Sequence, residues 1–340
     1  MSRFLPAAGV ALVLAATLMS SSSAFAWGAS GHRLIGQLAV RSLPLDLPAF
    51  FKKGEAARQI AEVAREPDRF KGSGGPAESE TAAAHFVSVG DDQKIARGPT
   101  LAALPASREA YDAALRAAGS NQYRAGYLPY AIIEAWQRVV MDFAYWRADV
   151  AGEKYAKAIA ERTWFQQDRW IREGIIVRDL GYLAHFVGEG SEPLNLSVHS
   201  DGWGNYPNPR GFSAVKGVRA DFEGTVVRSR MTEKEILPDV AAYRDCSCSI
   251  EQRVAQYLTA TQKEVTALYE LEKAEAFKGN DPKGRDFVSL RLAAAIGETR
   301  DLTAAAWIKS GEVSVGYPPI PLRDIESGAT NALDAMRGVD

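Results

Sequence analysis

The sequence predicts an all-α protein: one compact multi-helix domain with long loops around a cleft. Three observations predict it. Apolar residues recur at three- and four-residue spacing through most of the chain. Long strands with period-two alternation are missing. Gly, Pro, Asn and Ser gather in two stretches, 68–80 and 190–217, which read as loops. The composition, 46% hydrophobic and 24% charged, is that of an ordinary soluble globular protein.

The elements follow in chain order. Ile35, Leu38 and Ala39 mark a helix over 31–43. Ala57, Ile60, Ala61 and Ala64 mark one over 54–65. Tyr111 and Leu115, four apart, mark 107–118. A longer apolar face through Ile132, Val139 and Phe143 predicts 129–150. The aromatic-rich segment 154–172 predicts another helix. Ile176, Leu180, Leu183 and Val187 predict 175–188. Later helices are expected over 232–244, 250–277 and 285–309. The nearest approaches to strands are "FVSV" at 86–89 and "TVV" at 225–227. The segment after Ser314 reads as irregular, so the domain is placed at 27–320 with a tail at 321–340.

The first 26 residues differ from the rest. Arg3 supplies charge, Phe4 to Met19 is nearly all apolar, and Ala24-Phe25-Ala26 ends the segment. That pattern is a secretory signal peptide, cut after Ala26 to leave Trp27 first and the protein secreted or periplasmic. The apolar run is short for a span of about 20 residues, so no permanent membrane anchor is expected. The net charge of −2 gives no global attraction to nucleic acid or acidic lipid; local cations or metals must hold any phosphate. Cys246 and Cys248 are the only cysteines, which excludes a disulfide scaffold. A strained bridge, a soft metal site and two reduced thiols all remain open for this pair.

The chain has four histidines: His32, His85, His185 and His199. His185 and Glu189 stand four apart, on one helical face, a spacing that suits two ligands of one ion. Gly188 and Gly190 end that helix and leave Glu189 near its terminus. Asp68 follows one helix end in "REPDRF", and His85 follows another in "ETAAAHFVSVG".

Together with "WGASGH", "HFVGE" followed by "PLN", and "ADFE", these residues resemble a known family. The sequence is similar to the zinc-dependent superfamily that joins the S-one/P-one single-strand nucleases and bacterial phospholipase C. The likeness runs from Trp27 to about Glu223 by motif. It implies an all-α secreted domain with a metal cleft, in which the mature N-terminal Trp binds zinc through its own backbone. Trp27 and His32 match the ligands of one zinc. Asp68, His85 and His185 match those of a second, and Glu189 stands where the family has a bridging Asp. The departures are equally specific. Asn195 and Arg219 stand where the family has two histidines, leaving Glu223 alone in a degenerate third metal site. Ser88 replaces an Asp near the attacking water. About two Zn2+ are therefore expected, on the two-metal pattern of hydrolytic sites.

The implied function is hydrolysis of phosphodiesters by a monomer, the substrate being single-stranded nucleic acid or phospholipid. Glu189 and Arg219 are the catalytic candidates. Arg219 either clamps a phosphoryl oxygen with its guanidinium fork or pairs with Glu223 on one helix face. The alternative function is a catalytically impaired relative that binds metal or a phosphate ligand. In the loop "SVHSDGWGNYPNPRGF", Trp203 and Tyr206 are candidates to stack on a base or lipid head group, and Arg210 to meet phosphate. The opposing expectation is that these aromatics pack down on the domain and that His199 is a satisfied histidine.

Overall fold

Local sequence rules set the helix ends in the computed structural model, which describes residues 27–338 except Leu45, Gly72 and Ser73. The expected signal peptide lies outside the described residues. Ser107 caps its helix by accepting from the Ala110 amide, and Ser249 forms a capping box with Gln252. The helices run α1 Gly28–Arg41, α2 Gly54–Val63, α3 Glu66–Arg69, α4 Pro76–Ala82, α5 Arg108–Ala117, α6 Gln122–Ala125, α7 Leu128–Tyr155 and α8 Ile159–Gly190. After a long irregular segment come α9 Val227–Arg230, α10 Glu233–Ile236, α11 Ile250–Gln262, α12 Val265–Lys273, α13 Pro282–Ser310, α14 Leu322–Glu326 and α15 Leu333–Arg337. The result is a single compact helical domain with almost no strand. Among the described residues, no helix is long and apolar enough to cross a membrane.

The long helices α7 and α8 are joined by three residues and pack as an antiparallel pair. The helices α1, α2 and α13 close around them. One apolar core lies along α7 and α8, with Phe143, Ile176, Leu183 and Val187. A second gathers Trp27, Ile35, Phe222, Leu292 and Ile296. Small residues let the helices meet closely. A Cβ on Gly36 would lie 3.2 Å from the Ala61 Cα, and one on Gly188 would lie 3.0 Å from Ile35 and 3.3 Å from the His32 ring. The close approach at Gly188 brings the end of α8 against α1.

Several elements differ from the sequence reading. The expected helices 154–172 and 175–188 are one, α8, running unbroken through Gly174. A mid-helix glycine costs about 1 kcal/mol, and the buried face that includes Phe165, Ile176 and Leu180 continues across it. The helix expected over 232–244 stops after α10, with a short 3-10 turn at Leu237–Asp239, because Pro238 cannot continue the ladder. The expected 250–277 helix breaks at Lys263-Glu264. "TVV" is helical: it ends the π-helix Ala220–Val226 and begins α9, with Val226 and Val227 buried. In "FVSV" only Val89 makes an isolated bridge, to Ile95. The segment after Ser314 is ordered as a hairpin, β1 Ser314–Val315 with β2 Ile320–Pro321, followed by α14. Leu322 and Ile325 are buried in a third small core with Ala144 and Ala148 of α7. Cys246 and Cys248 are joined as a disulfide.

The α7–α8 seam carries buried acids. Asp149 is fully buried and faces Asp168; burial first, and the Asp168 charge second, push it up to about 8. An unfolded aspartate titrates near ~3.9. Between those values the folded chain keeps a proton that the unfolded chain gives up, so this group makes stability fall as pH rises from about 4 to about 8. Asp149→Asn should therefore raise the melting temperature at pH 8 by several degrees, on the order of a few kcal/mol. It should change little at pH 4. Scanning calorimetry at the two pH values checks this; an unchanged or lower melting temperature at pH 8 would count against it.

Candidate metal centre

Six separate segments deliver the site. The helix α1 carries His32 one turn after its start. The short α3 carries Asp68, and a 3-10 turn at Ala83–His85 carries His85. The last turns of α8 carry His185 and Glu189. A 3-10 turn at Pro193–Leu196 carries Asn195, and the π-helix carries Glu223 just after Arg219. Inserted π turns concentrate at functional sites.

Four of the expected ligands form one buried group. Ligand atoms of His32, Asp68, His185 and Glu189 all lie within 4.8 Å of one another, a set able to hold a metal ion. His32 Nε2 is 3.6 Å from Asp68 Oδ2 and 3.5 Å from Glu189 Oε1. The rings of His32 and His185 stack at 4.1 Å. His85 stands at the edge, with Nε2 3.7 Å from Asp68 Oδ1.

The hydrogen bonds around these rings set their protonation. His185 Nδ1 lies 2.8 Å from the Ala64 carbonyl, and His85 Nδ1 lies 2.9 Å from the Thr81 carbonyl. A carbonyl only accepts, so each Nδ1 carries the hydrogen and each neutral ring presents a bare Nε2 lone pair. Burial pushes His85 down to about 3 and lowers His185 as well, so both rings are neutral at pH 7. Both Nε2 atoms are buried without a hydrogen-bond partner, as is Glu189 Oε1. Burial alone would raise Glu189; the Asn195 amide donating to its Oε2 and the Lys71 charge favour its ionised form, and it lies below the usual carboxylate range. Lone pairs of neutral imidazole and ionised carboxylate facing one another are the donor set of a borderline cation.

Trp27 sits beside this group by its side chain. Its indole N–H donates to the Gly188 carbonyl at 2.8 Å and reaches Ser191 Oγ at 2.9 Å, and its ring packs on Phe222. Its backbone is left-handed, φ 52°, followed by Gly28 at φ 49°. Such a conformation at a bulky non-glycine residue costs about 1–3 kcal/mol and persists only where the surroundings impose it.

The degenerate third metal site is filled by side chains. Asn195 Nδ2 donates to Glu189 Oε2 at 2.5 Å, and its Oδ1 accepts from Arg219 NH2 at 2.8 Å. Arg219 Nε donates to the Ser200 carbonyl. The guanidinium also pairs with Glu223 at 3.3 Å and Glu192 at 3.6 Å. Arg219 thus lies in the same cavity wall as Glu189, yet most of its fork is already engaged. Burial pushes Glu192 up to about 7 and Glu223 well above the usual range, in each case against the pull of Arg219. Asn195 has only one orientation that serves both neighbours. It keeps Glu189 Oε2 occupied and leaves Oε1 turned toward the histidines.

Glu192 and Lys71 escaped the sequence reading. Glu192 is fully buried and accepts from the Leu194 and Asn195 amides. Its signal was its place just before Pro193, a turn-capping position. Lys71 Nζ lies 2.7 Å from Asp68 Oδ1. Both Lys71 and Arg219 line a cavity of about 340 Å³ that also reaches His85, Ser88, Glu189 and Asn195.

The three substrate candidates in the loop lie away from that cavity. Trp203 is buried, stacks on His199 at 3.7 Å and donates its indole N–H to Pro207. It is a packing residue of the loop, because its ring faces are taken by neighbours. Tyr206 is half-exposed against the edge of His199, and Arg210 pairs with Glu270 at the surface. His199 is satisfied on both sides, by Asp91 and by the Trp203 carbonyl, and has no nitrogen left for a metal.

No family model, no curated protein and no solved structure matches this chain.

Proposed function

We propose that the protein is a secreted zinc-dependent phosphodiesterase, a divergent relative of the S-one/P-one nuclease and phospholipase C superfamily. One observation carries the reading. Four side chains taken from three separate motifs, each expected to be a ligand, meet in one buried group. The donor set of imidazole and carboxylate fits zinc. His32 with the freed amine of Trp27 would hold one ion and Asp68, His85 and His185 a second, with Glu189 beside both. Zinc bound by such residues supplies Lewis acidity toward a phosphoryl oxygen and lowers the pKa of water.

The chain's own residues then have distinct work. Asn195 orients Glu189, and Arg219 orients Asn195. Lys71 and Arg219 add positive charge to the cavity wall, where a phosphate would otherwise meet Glu189 alone. Ser88 offers a hydroxyl but no carboxylate to steer water. The engagement of Arg219 by Ser200, Asn195, Glu192 and Glu223 favours a second reading, a protein that binds metal and a phosphate ligand with weak or no turnover.

A chain beginning at Trp27 should contain about two zinc ions and hydrolyse single-stranded DNA, RNA or phosphatidylcholine. Elemental analysis with those three assays is the test. Zinc without hydrolysis selects the binding protein. Absence of metal sinks both readings.

A further inference from the structure

We propose that the Cys246–Cys248 bridge is a thiol–disulfide exchange site that oxidises an exposed dithiol of another protein. It needs no metal, and the phosphodiesterase reading leaves these two sulfurs without work.

The bridge is poorly placed to be a staple. It joins residues two apart in sequence, and the freedom that a disulfide removes from the unfolded chain grows with the loop it closes. The fold already holds both flanks. Upstream, Arg300 NH1 donates to the Ala241 carbonyl at 2.8 Å, and the Arg244 amide donates to Asp301 Oδ2 at 3.3 Å. Asp301 is itself buried and paired with Arg253. Downstream, the Ser249–Gln252 capping box starts α11, whose Val254 and Leu258 are buried. The sulfurs sit in a short bend between these fixed points. The chain has no other cysteine, so a reduced pair can close again only on itself.

The bridge is also within reach. Cys246 and Cys248 are half-buried, and Asp245, Ser247 and Ser249 around them are exposed. Small serines leave the sulfurs open to an incoming thiolate. Exposed bridges are the exchangeable ones, whereas structural bridges of secreted proteins resist the glutathione pool. The two sulfurs differ. Cys248 stands just before the N-cap of α11, and a helix N-terminus favours a thiolate. Cys246 stands beside Asp245, whose charge disfavours one. Cys248 is therefore the better leaving group. A substrate thiolate attacks the Cys246 sulfur, the Cys246–Cys248 bond breaks, and its electron pair leaves on Cys248. The substrate's second thiolate then attacks the substrate sulfur of the mixed disulfide, and that electron pair leaves on Cys246. The substrate loses two electrons and two protons and gains a disulfide; the two cysteines, protonated through water, end as thiols. A small-molecule disulfide restores the bridge and is itself reduced to two thiols.

The chain beginning at Trp27, a reduced peptide with two cysteines as probe, and glutathione disulfide as oxidant make the test. In a glutathione redox buffer, alkylation and mass spectrometry should find the pair reversibly reduced. In substoichiometric amount, the chain should speed oxidation of the peptide by about ten-fold or more over glutathione disulfide alone. Cys246→Ser and Cys248→Ser should each lose that gain. So should the double variant, whose melting temperature should stay within about 5 °C of wild type because so short a loop constrains little. A bridge that stays oxidised in the glutathione buffer overturns the proposal. So do equal rates for wild type and the double variant, or a gain with dithiothreitol and none with the peptide. A larger fall in melting temperature also overturns it, and makes the bridge a staple.

Discussion

His185→Ala should reduce zinc affinity by more than about 100-fold, beyond the 10- to 100-fold typical of losing an outer-shell partner. Zinc competition titration measures it directly. The expectation comes from geometry. His185 is fully buried, its Nδ1 hydrogen is fixed on the Ala64 carbonyl, and its Nε2 lies 3.2 Å from Glu189 Oε1 with no hydrogen between them. Two lone pairs that close, away from water, repel unless a cation joins them. Removing the imidazole also unstacks His32. Wild type should gain melting temperature on adding zinc, since a ligand that binds only the folded chain stabilises it. His185→Ala should gain almost none. Equal zinc affinity in the two proteins would mean that metal, if it binds, binds elsewhere.

The parts of this molecule that were legible in its sequence share a physical trait: they depend on local spacing. The helices α1, α2 and α5 appear within a few residues of their expected bounds because an apolar stripe is a local signal. So is the His185/Glu189 pair, four apart on α8. The continuity of α8 was not legible, because Gly174 reads as a breaker when its packed face against α7 is unseen. "TVV" reads as a strand for its β-branched residues, and only burial in the second core makes it helical. The ligand group was assembled by resemblance; nothing local in "REPDRF" places Asp68 beside His32. Trp203 and Arg210 read as available for a similar reason. An aromatic or a cation in a loop looks available until its neighbours, His199 and Glu270, are known. Glu192 was missed because a buried glutamate beside a proline has the sequence of any turn.

Arg219→Ala should destabilise the protein by about 3–5 kcal/mol, the range for breaking a buried ion pair from one side. The sequence leaves it either a phosphate clamp or an ion-pair partner of Glu223. The structure shows the Glu223 pair and adds Glu192 and Asn195 to it. Arg219 is the cation between two buried carboxyls, Glu192 and Glu223, and it fixes the Asn195 amide that occupies Glu189 Oε2. Without it, both buried carboxyls lose the cation that favours their ionised form, and Asn195 is free to turn. Denaturant unfolding measures the loss. The mechanism predicts a rescue: Glu192→Gln with Glu223→Gln, placed in the Arg219→Ala background, should recover part of the stability, because neutral amides need no cation. If the single substitution is silent, the network adds nothing to stability. If it destabilises and the glutamine pair restores nothing, packing and not charge is at stake. Arg219→His asks the chemical question. An imidazole four residues before Glu223 offers a metal ligand pair where a guanidinium offered none. With Asn195→His added, the three positions regain two imidazoles and a carboxylate, and zinc content should rise by about one ion per chain. An unchanged zinc content in that double variant would show that the surrounding backbone, and not the two side chains, is what closes the third site.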